Sequence, residues 1–271
     1  DATRFGTMLM APQGLDVLFS NSRLEVGRNF MNKLWNASRF VQMNLEGGSA
    51  PEIDLDTVDL DLPERWILSQ LNQTAIKVNR QLDRFHFNEA AKAIYEFTWS
   101  DFCDWYIEIA KTRFYGEDPK KADISRAVAV HVIKGILRLL HPYSPFITEE
   151  LWAHFRDEND LDLIVTSWLN GEPSIEDKEA DGSMALLKEI VTAVRTIRSR
   201  MNVPPGKKAD LVIRNVNGNR GLIESFDEII RTLGRIEEMT LGQDLEKPDQ
   251  SATAVVQKME LFVPLKGLID L

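Results

Sequence analysis

Apolar side chains in the stretch Arg28 to Val41, RNFMNKLWNASRFV, recur at the spacing of an α-helix. Advancing ~100° per residue from Phe30 puts Phe30, Leu34, Ala37 and Val41 on one face and Arg28, Asn32 and Arg39 opposite. Phe40 falls off the apolar stripe, between Lys33 and Asn36. Spacing leaves two places for its ring: against a second neighbouring helix, or in solvent. Trp35 and Arg39 are four apart and could pair as a cation–π contact. Ser22 and Glu25 have the S-x-x-E pattern of a capping box, so the helix is expected to open there. It should run to about Asn44, before Gly47, Gly48 and Pro51 break it.

The same period predicts helices from near Pro63 to about Asp83, over Asn88–Phe114, over Asp123–Leu140, and from Ser144-Pro145 through Phe155. The third is strongly aromatic, with Tyr95, Phe97, Trp99, Phe102, Trp105 and Tyr106. Amphipathic helices separated by short breaks predict an antiparallel helix bundle over residues 1–156. Residues 157–182 are acidic, carry Gly171, Pro173 and Gly182, and read as a linker with one anchoring side chain, Trp168. A sixth helix is expected from Ser183 to Asn202. After Pro204-Pro205-Gly206 the period shortens. Asp210–Val216 alternates like a strand, Leu222–Leu233 reads as a helix, and Thr253–Gln257 and Leu261–Pro264 read as short strands. Residues 183–271 should therefore form a small α+β unit, and the fold class as a whole is mainly α.

The composition, 44% apolar with 13 phenylalanines over 271 residues, is ample for a core. No apolar run approaches the ~20 residues of a membrane span, so no membrane partner is expected. The start, DATRFGTMLM, has no basic-then-apolar leader and no initiator methionine, so a piece of a longer cytoplasmic chain is expected. A single cysteine, Cys103, excludes an internal disulfide and a multi-cysteine zinc site. His86, His131, His141 and His154 stand on separate segments, so no metal site is expected. No glycine-rich nucleotide loop occurs. Cys103 reads as a buried, inert thiol, Glu149 and Glu150 as solvated carboxylates in the first turns of a helix, and Lys120-Lys121 as a solvated turn.

The formal net charge of −10 argues against a casual nucleic-acid reading. The acid is unevenly spread, however. Seven carboxylates and no base lie between Glu46 and Glu64, whereas Lys188–Arg214 holds seven bases and two acids. Salt screens charges beyond ~8–10 Å, so local balance outweighs the sum. The helix around Phe40 combines cations, amides and a ring. Those groups suit a nucleic-acid loop: cations meet phosphates, amides meet base edges, and a ring stacks. Arg195 and Arg198, with Arg200, Lys207 and Lys208 close behind, form either a phosphate-binding cluster or an ordinary solvated face. A helical protein-interaction scaffold that binds no RNA is the rival reading.

In order along nearly the whole chain, FMNKLWNASRFV, RWILSQLN, FNEAAKAIYEFTWSDFCDWYIEIAK, HPYSPFITEELW, IRSRMNVPPGKK and VPLKGLIDL resemble the C-terminal region of the bacterial valyl-tRNA synthetase family, class I aminoacyl-tRNA synthetases. HPYSPF is shared with isoleucyl-tRNA synthetases, whose C-terminal end usually carries a cysteine-rich zinc region; the lone Cys103 and NVPPGKK favour the valyl family. The resemblance implies an anticodon-binding helix bundle followed by the α+β unit. Phe40 would be the stacking platform for the anticodon loop of tRNA(Val), with Asn36, Arg39, Lys33 and Asn32 as neighbours and Ile107 and Lys111 as the facing wall. Arg195 and Arg198 would touch the tRNA backbone or brace the bundle, and the acidic 46–64 run would point away from the RNA. Neither HIGH nor KMSKS is present, so the resemblance implies no catalytic residue and no cofactor in this region. ATP, Mg and the attachment of valine would belong to the intact enzyme, expected to be a monomer.

Overall fold

A computed structural model describes residues 1–10, 21–157 and 160–268. The chain forms two compact units, residues 1–178 and 179–271. The first unit is helical. α1 (Ala2–Met10) lies on α2 (Asn21–Met43), and the predicted stripe is the core of that contact: Phe30, Leu34, Ala37 and Val41 are all buried. Phe5 of α1 stacks on Phe30 with ring centroids 4.6 Å apart. Gly27 is required by the close approach, because a Cβ there would sit 2.1 Å from the carbonyl oxygen of Ala2. α2 already includes Asn21, and the expected capping role of Ser22 lies outside the described side chains.

α3 (Leu62–Leu82) opens with Pro63 in its first turn, where the missing N–H costs no hydrogen bond. The aromatic helix expected from Asn88 to Phe114 is one unbroken rod from Phe87 to Phe114. It is not uniform, however. α4 (Phe87–Glu96) passes into a π-helical segment, Phe97–Tyr106, before α5 (Ile107–Phe114) resumes. A π segment widens the turn, so faces counted at 100° per residue rotate out of register beyond Phe97. α6 (Pro119–Leu140) starts earlier than expected because Asp118 caps it, its carboxylate accepting from the amides of Lys120 and Lys121 at 3.0 and 3.2 Å. The pair read as a solvated turn is thus the first turn of a helix. α7 (Pro145–Ala153) completes the bundle.

The stretch read as a linker is, over residues 160–177, tied to the bundle. Trp168 Nε1 donates to Asn79 Oδ1 at 2.6 Å, and Arg138 donates twice to the carbonyl of Ser167. Asn72 and Glu172 exchange two hydrogen bonds, and Arg65 pairs with Asp177 at 2.7 Å. Composition reads such a segment as loose because its anchors are backbone groups and side chains from distant helices. Glu149, expected to be solvated, is half-buried and accepts from the amides of Leu163 and Ile164.

The second unit packs α8 (Lys178–Arg200), α9 (Arg220–Ser225) and α10 (Asp227–Gly234) with a four-stranded sheet ordered β2-β1-β4-β3. β1 (Ala209–Arg214) runs parallel to β2 (Ile236–Gly242) and antiparallel to β4 (Met259–Pro264). β3 (Ser251–Val256) and β4 form a hairpin. β1, β3, β4 and the α9–α10 helical stretch fall where alternation and period place them. β2 was not expected: IEEMTLG has no alternation, and its burial is uneven along its length.

Candidate nucleic-acid interface

On α2, no aspartate or glutamate occurs between Val26 and Leu45. Its core stripe is buried, which turns Arg28, Asn32, Trp35, Asn36 and Arg39 outwards; each is exposed. Arg39 has no hydrogen-bond partner among the described residues, and no cation–π contact joins it to Trp35.

Phe40 takes the first of the two positions that spacing allowed, against a second helix, but one side of its ring stays open. It is half-buried, with its ring stacked on Phe114 of α5 at a centroid distance of 5.9 Å and 21° between planes. Phe114 is itself buried, with the Arg126 guanidinium 5.9 Å from its ring. Phe40 is therefore the outer ring of a supported stack. Lys111 Nζ lies 5.3 Å from the Phe40 centroid, and Glu108 accepts a hydrogen bond from the same ammonium at 2.6 Å. The carbonyl of Phe40 accepts from Asn44 Nδ2 at 2.8 Å, which pins the backbone at the end of the helix.

Two residues expected beside Phe40 sit elsewhere. Lys33 is committed to Asp104, with Nζ 2.7 Å from the carboxylate and 5.3 Å from the Trp99 ring. Burial pulls its pKa down, but the Asp104 hydrogen bond and charge outweigh that and hold it above the ordinary lysine value. Ile107 is 4% exposed and belongs to the core, not to a facing wall. The expectation came from the resemblance, and the packing of α5 against α6 places the side chain inside instead. Lys111, one turn further on, does reach Phe40.

Arg195 and Arg198 act inside the second unit. Arg198 is buried, and its guanidinium donates to the carbonyls of Lys207 at 2.7 Å, Pro204 at 3.3 Å and Arg235 at 3.5 Å. Burial and the nearby Arg235 charge lower its pKa below the ordinary arginine value. Arg195 Nε donates to the carbonyl of Leu233 at 2.9 Å. The expected backbone-binding cluster is thus, in Arg198, a buried pin for the turn before β1. The acidic run also has a structural share: Glu64 is fully buried, 2.6 Å from Arg113, and accepts from Ser125 Oγ at 2.8 Å. Asp61 joins Arg113 at 3.1 Å and Lys121 at 3.2 Å.

Sequence reasoning missed Phe114 as the partner of Phe40, and with it Met43 and Tyr115, which are 73% and 71% exposed at the same ends of α2 and α5. The signal was present: Met43 lies off the core stripe, and Tyr115 follows the last residue of an aromatic helix. Among the described residues, no group of three or more His, Cys, Asp or Glu side chains could hold a metal ion, and no helix is long and apolar enough to cross a membrane.

Residues 64–213 match the family model of the anticodon-binding domain of tRNA ligases, and the chain belongs to that family. More particularly, it is 42% identical over 273 residues to a valine–tRNA ligase of Syntrophotalea carbinolica. It is 40% identical over 275 residues to that of Fusobacterium nucleatum and 39% over 279 residues to that of Bacillus cereus. These alignments cover 100% of this chain and 30–31% of the relatives, so the chain spans under a third of their length. The resemblance read from the sequence is borne out. Among solved structures, a LeuRS of Agrobacterium radiobacter in a ternary complex with tRNA and LeuAMS aligns with TM-score 0.49 and 21% identity, over 77% of this chain and 26% of that one.

Proposed function

We propose that the chain is the tRNA-recognition module of a valine–tRNA ligase, and that the acid-free face of α2 receives the anticodon loop of tRNA(Val). The observation that carries this reading is that the similarity to valine–tRNA ligases covers the whole chain, and that within it one supported, half-exposed ring, Phe40, is flanked by Lys111, Asn36 and Arg39. A base stacked on Phe40 would gain ~1–3 kcal/mol. Asn36 and Asn32 supply amides for base edges, and Arg39 supplies a free guanidinium for a phosphate. Lys33, Ile107, Arg195 and Arg198 act through the fold instead. In the longer enzyme, the module would hold tRNA for ATP- and Mg-dependent attachment of valine, in the cytoplasm and as a monomer.

The test is equilibrium binding of a tRNA(Val) transcript and of the same transcript with an altered anticodon, at one fixed salt concentration. Preference for the valine anticodon, lost in Phe40→Ala, is the expected result. Equal binding of both transcripts, unchanged by Phe40→Ala, would instead favour a protein-interaction scaffold.

A further inference from the structure

The Phe40–Phe114 stack does not end the aromatic surface at that end of the bundle. Tyr115 directly follows Phe114 and is 71% exposed, with no hydrogen-bond partner for its hydroxyl among the described residues. Met43, one helical turn beyond Phe40 on α2, is 73% exposed. Met43 and Tyr115 are thus large side chains left open at the ends of the two helices that the Phe40–Phe114 stack joins, and such side chains mark a surface that can take a flat partner.

The backbone beneath Tyr115 is held firmly. Its amide donates to the carbonyl of Lys111 at 3.2 Å, and the amide of Gly116 donates to that of Arg113 at 3.1 Å. The turn closes so tightly that a Cβ at Gly116 would lie 2.9 Å from the carbonyl oxygen of Thr112. Asp118 then caps α6 two residues further on. Tyr115 is thus an open ring on a fixed stem, which binds a ligand at a lower entropy cost than a ring on a free loop.

The local charges select the ligand. Asp118 is committed to the α6 amides and Asp61 to Arg113 and Lys121, while Lys111 lies against Phe40 and Arg39 is free on α2. A flat apolar group tethered to a negative backbone, an unpaired nucleotide, fits a surface of rings and cations. Lys111 is balanced by Glu108, but a purely apolar protein segment would leave the Arg39 charge unmatched.

We infer that Tyr115 is a second base-stacking residue of the anticodon site: one loop base stacks on Phe40 and a neighbouring loop base stacks on Tyr115, with Met43 lining the gap between them. This deepens the tRNA-recognition reading and rests on it. Tyr115 provides a π-face and its hydroxyl can donate to a phosphate or 2′-hydroxyl oxygen. Phe40 alone would fix one base; two rings on different helices fix the spacing of two successive bases, which is how a loop is held in a splayed form.

The experiment uses the 271-residue chain and an RNA hairpin carrying a valine anticodon, alongside a set of hairpins with a single abasic site at each loop position in turn. Tyr115→Ala should weaken binding of the intact hairpin ~5- to 100-fold, and Tyr115→Phe by less than ~3-fold, since the stacking face is kept. Against one abasic hairpin, and not the one that erases the Phe40→Ala effect, the Tyr115→Ala loss should disappear. Both variants should melt with the wild type, because Tyr115 is exposed. If Phe40→Ala weakens binding and Tyr115→Ala does not, the inference is overturned and the tRNA-recognition reading stands. If Tyr115→Ala weakens every hairpin equally, abasic ones included, the ring stacks no base and the inference is likewise overturned. If the wild-type chain fails to prefer the valine anticodon, the underlying reading fails, and this inference with it.

Discussion

Arg198 shows how a single cation changes meaning once its surroundings are known. Its guanidinium holds three carbonyls around the turn before β1, and removing it leaves all three without their donor. Hydrogen bonds from a charged donor are each worth ~1.5–3 kcal/mol, so Arg198→Met should lower the stability of the chain by about 2–4 kcal/mol in urea unfolding. Where the variant stays folded, its affinity for tRNA should match the wild type; a uniform loss across all sequences with a shallower salt slope would return Arg198 to the phosphate-binding role. Cys103 is a second residue decided by burial. Desolvation pushes its thiol up to about 12, against the pull of the Lys33 charge. At pH 8 the folded chain should therefore resist alkylation, and its labelling rate should track unfolding; prompt labelling in native buffer would show an accessible thiolate.

At the scale of elements, the bundle is locked by the buried carboxylate of Glu64, which joins α3 to Arg113 of α5 and Ser125 of α6. Glu64→Ala leaves the Arg113 charge with Asp61 alone and should cost ~3–5 kcal/mol. Glu64→Gln should cost less, because its amide oxygen still accepts from Ser125. Burial raises the Glu64 carboxyl above its ordinary value, with Arg113 and the Ser125 hydroxyl pulling it back. A carboxyl whose folded pKa is raised binds its proton more readily in the folded state. Its contribution is therefore complete below the unfolded pKa and is lost as pH rises through the folded one. The stability gap between wild type and Glu64→Gln should accordingly be wider near pH 4 than at pH 8, measured by urea unfolding at both; a gap that widens with rising pH contradicts the raised value. The long rod from Phe87 to Phe114 makes the same point in geometry. Its existence and aromatic character are plain in the sequence, but the π segment inside it is not. Beyond it, Ile107 lies in the core while Lys111, one turn on, reaches Phe40.

On the scale of the whole molecule, a chain of net charge −10 binds RNA only where its own carboxylates are absent or paired. The α2 face meets that condition by sequence, and the 46–64 run partly meets it by burying Glu64. Few phosphates can then be neutralised, so the logarithm of the tRNA affinity should fall with the logarithm of salt at a slope of only about −1 to −3, at −0.7 to −0.9 per phosphate. A slope of about −5 to −6, from one phosphate for each of the seven bases between Lys188 and Arg214, would move the main contact to the second unit. The sequence alone determined the helical period, the core stripe of α2, the lone cysteine, the uneven charge and the ordered resemblance along the chain, because each is a property of residue order or of neighbours within one helix turn. Only the tertiary structure decided that Phe40 rests on Phe114, that Lys33 and Arg198 are committed, and that the 160–177 stretch is tied down. Those outcomes depend on which distant groups arrive beside a side chain and how much water they remove, and helical spacing carries no record of either.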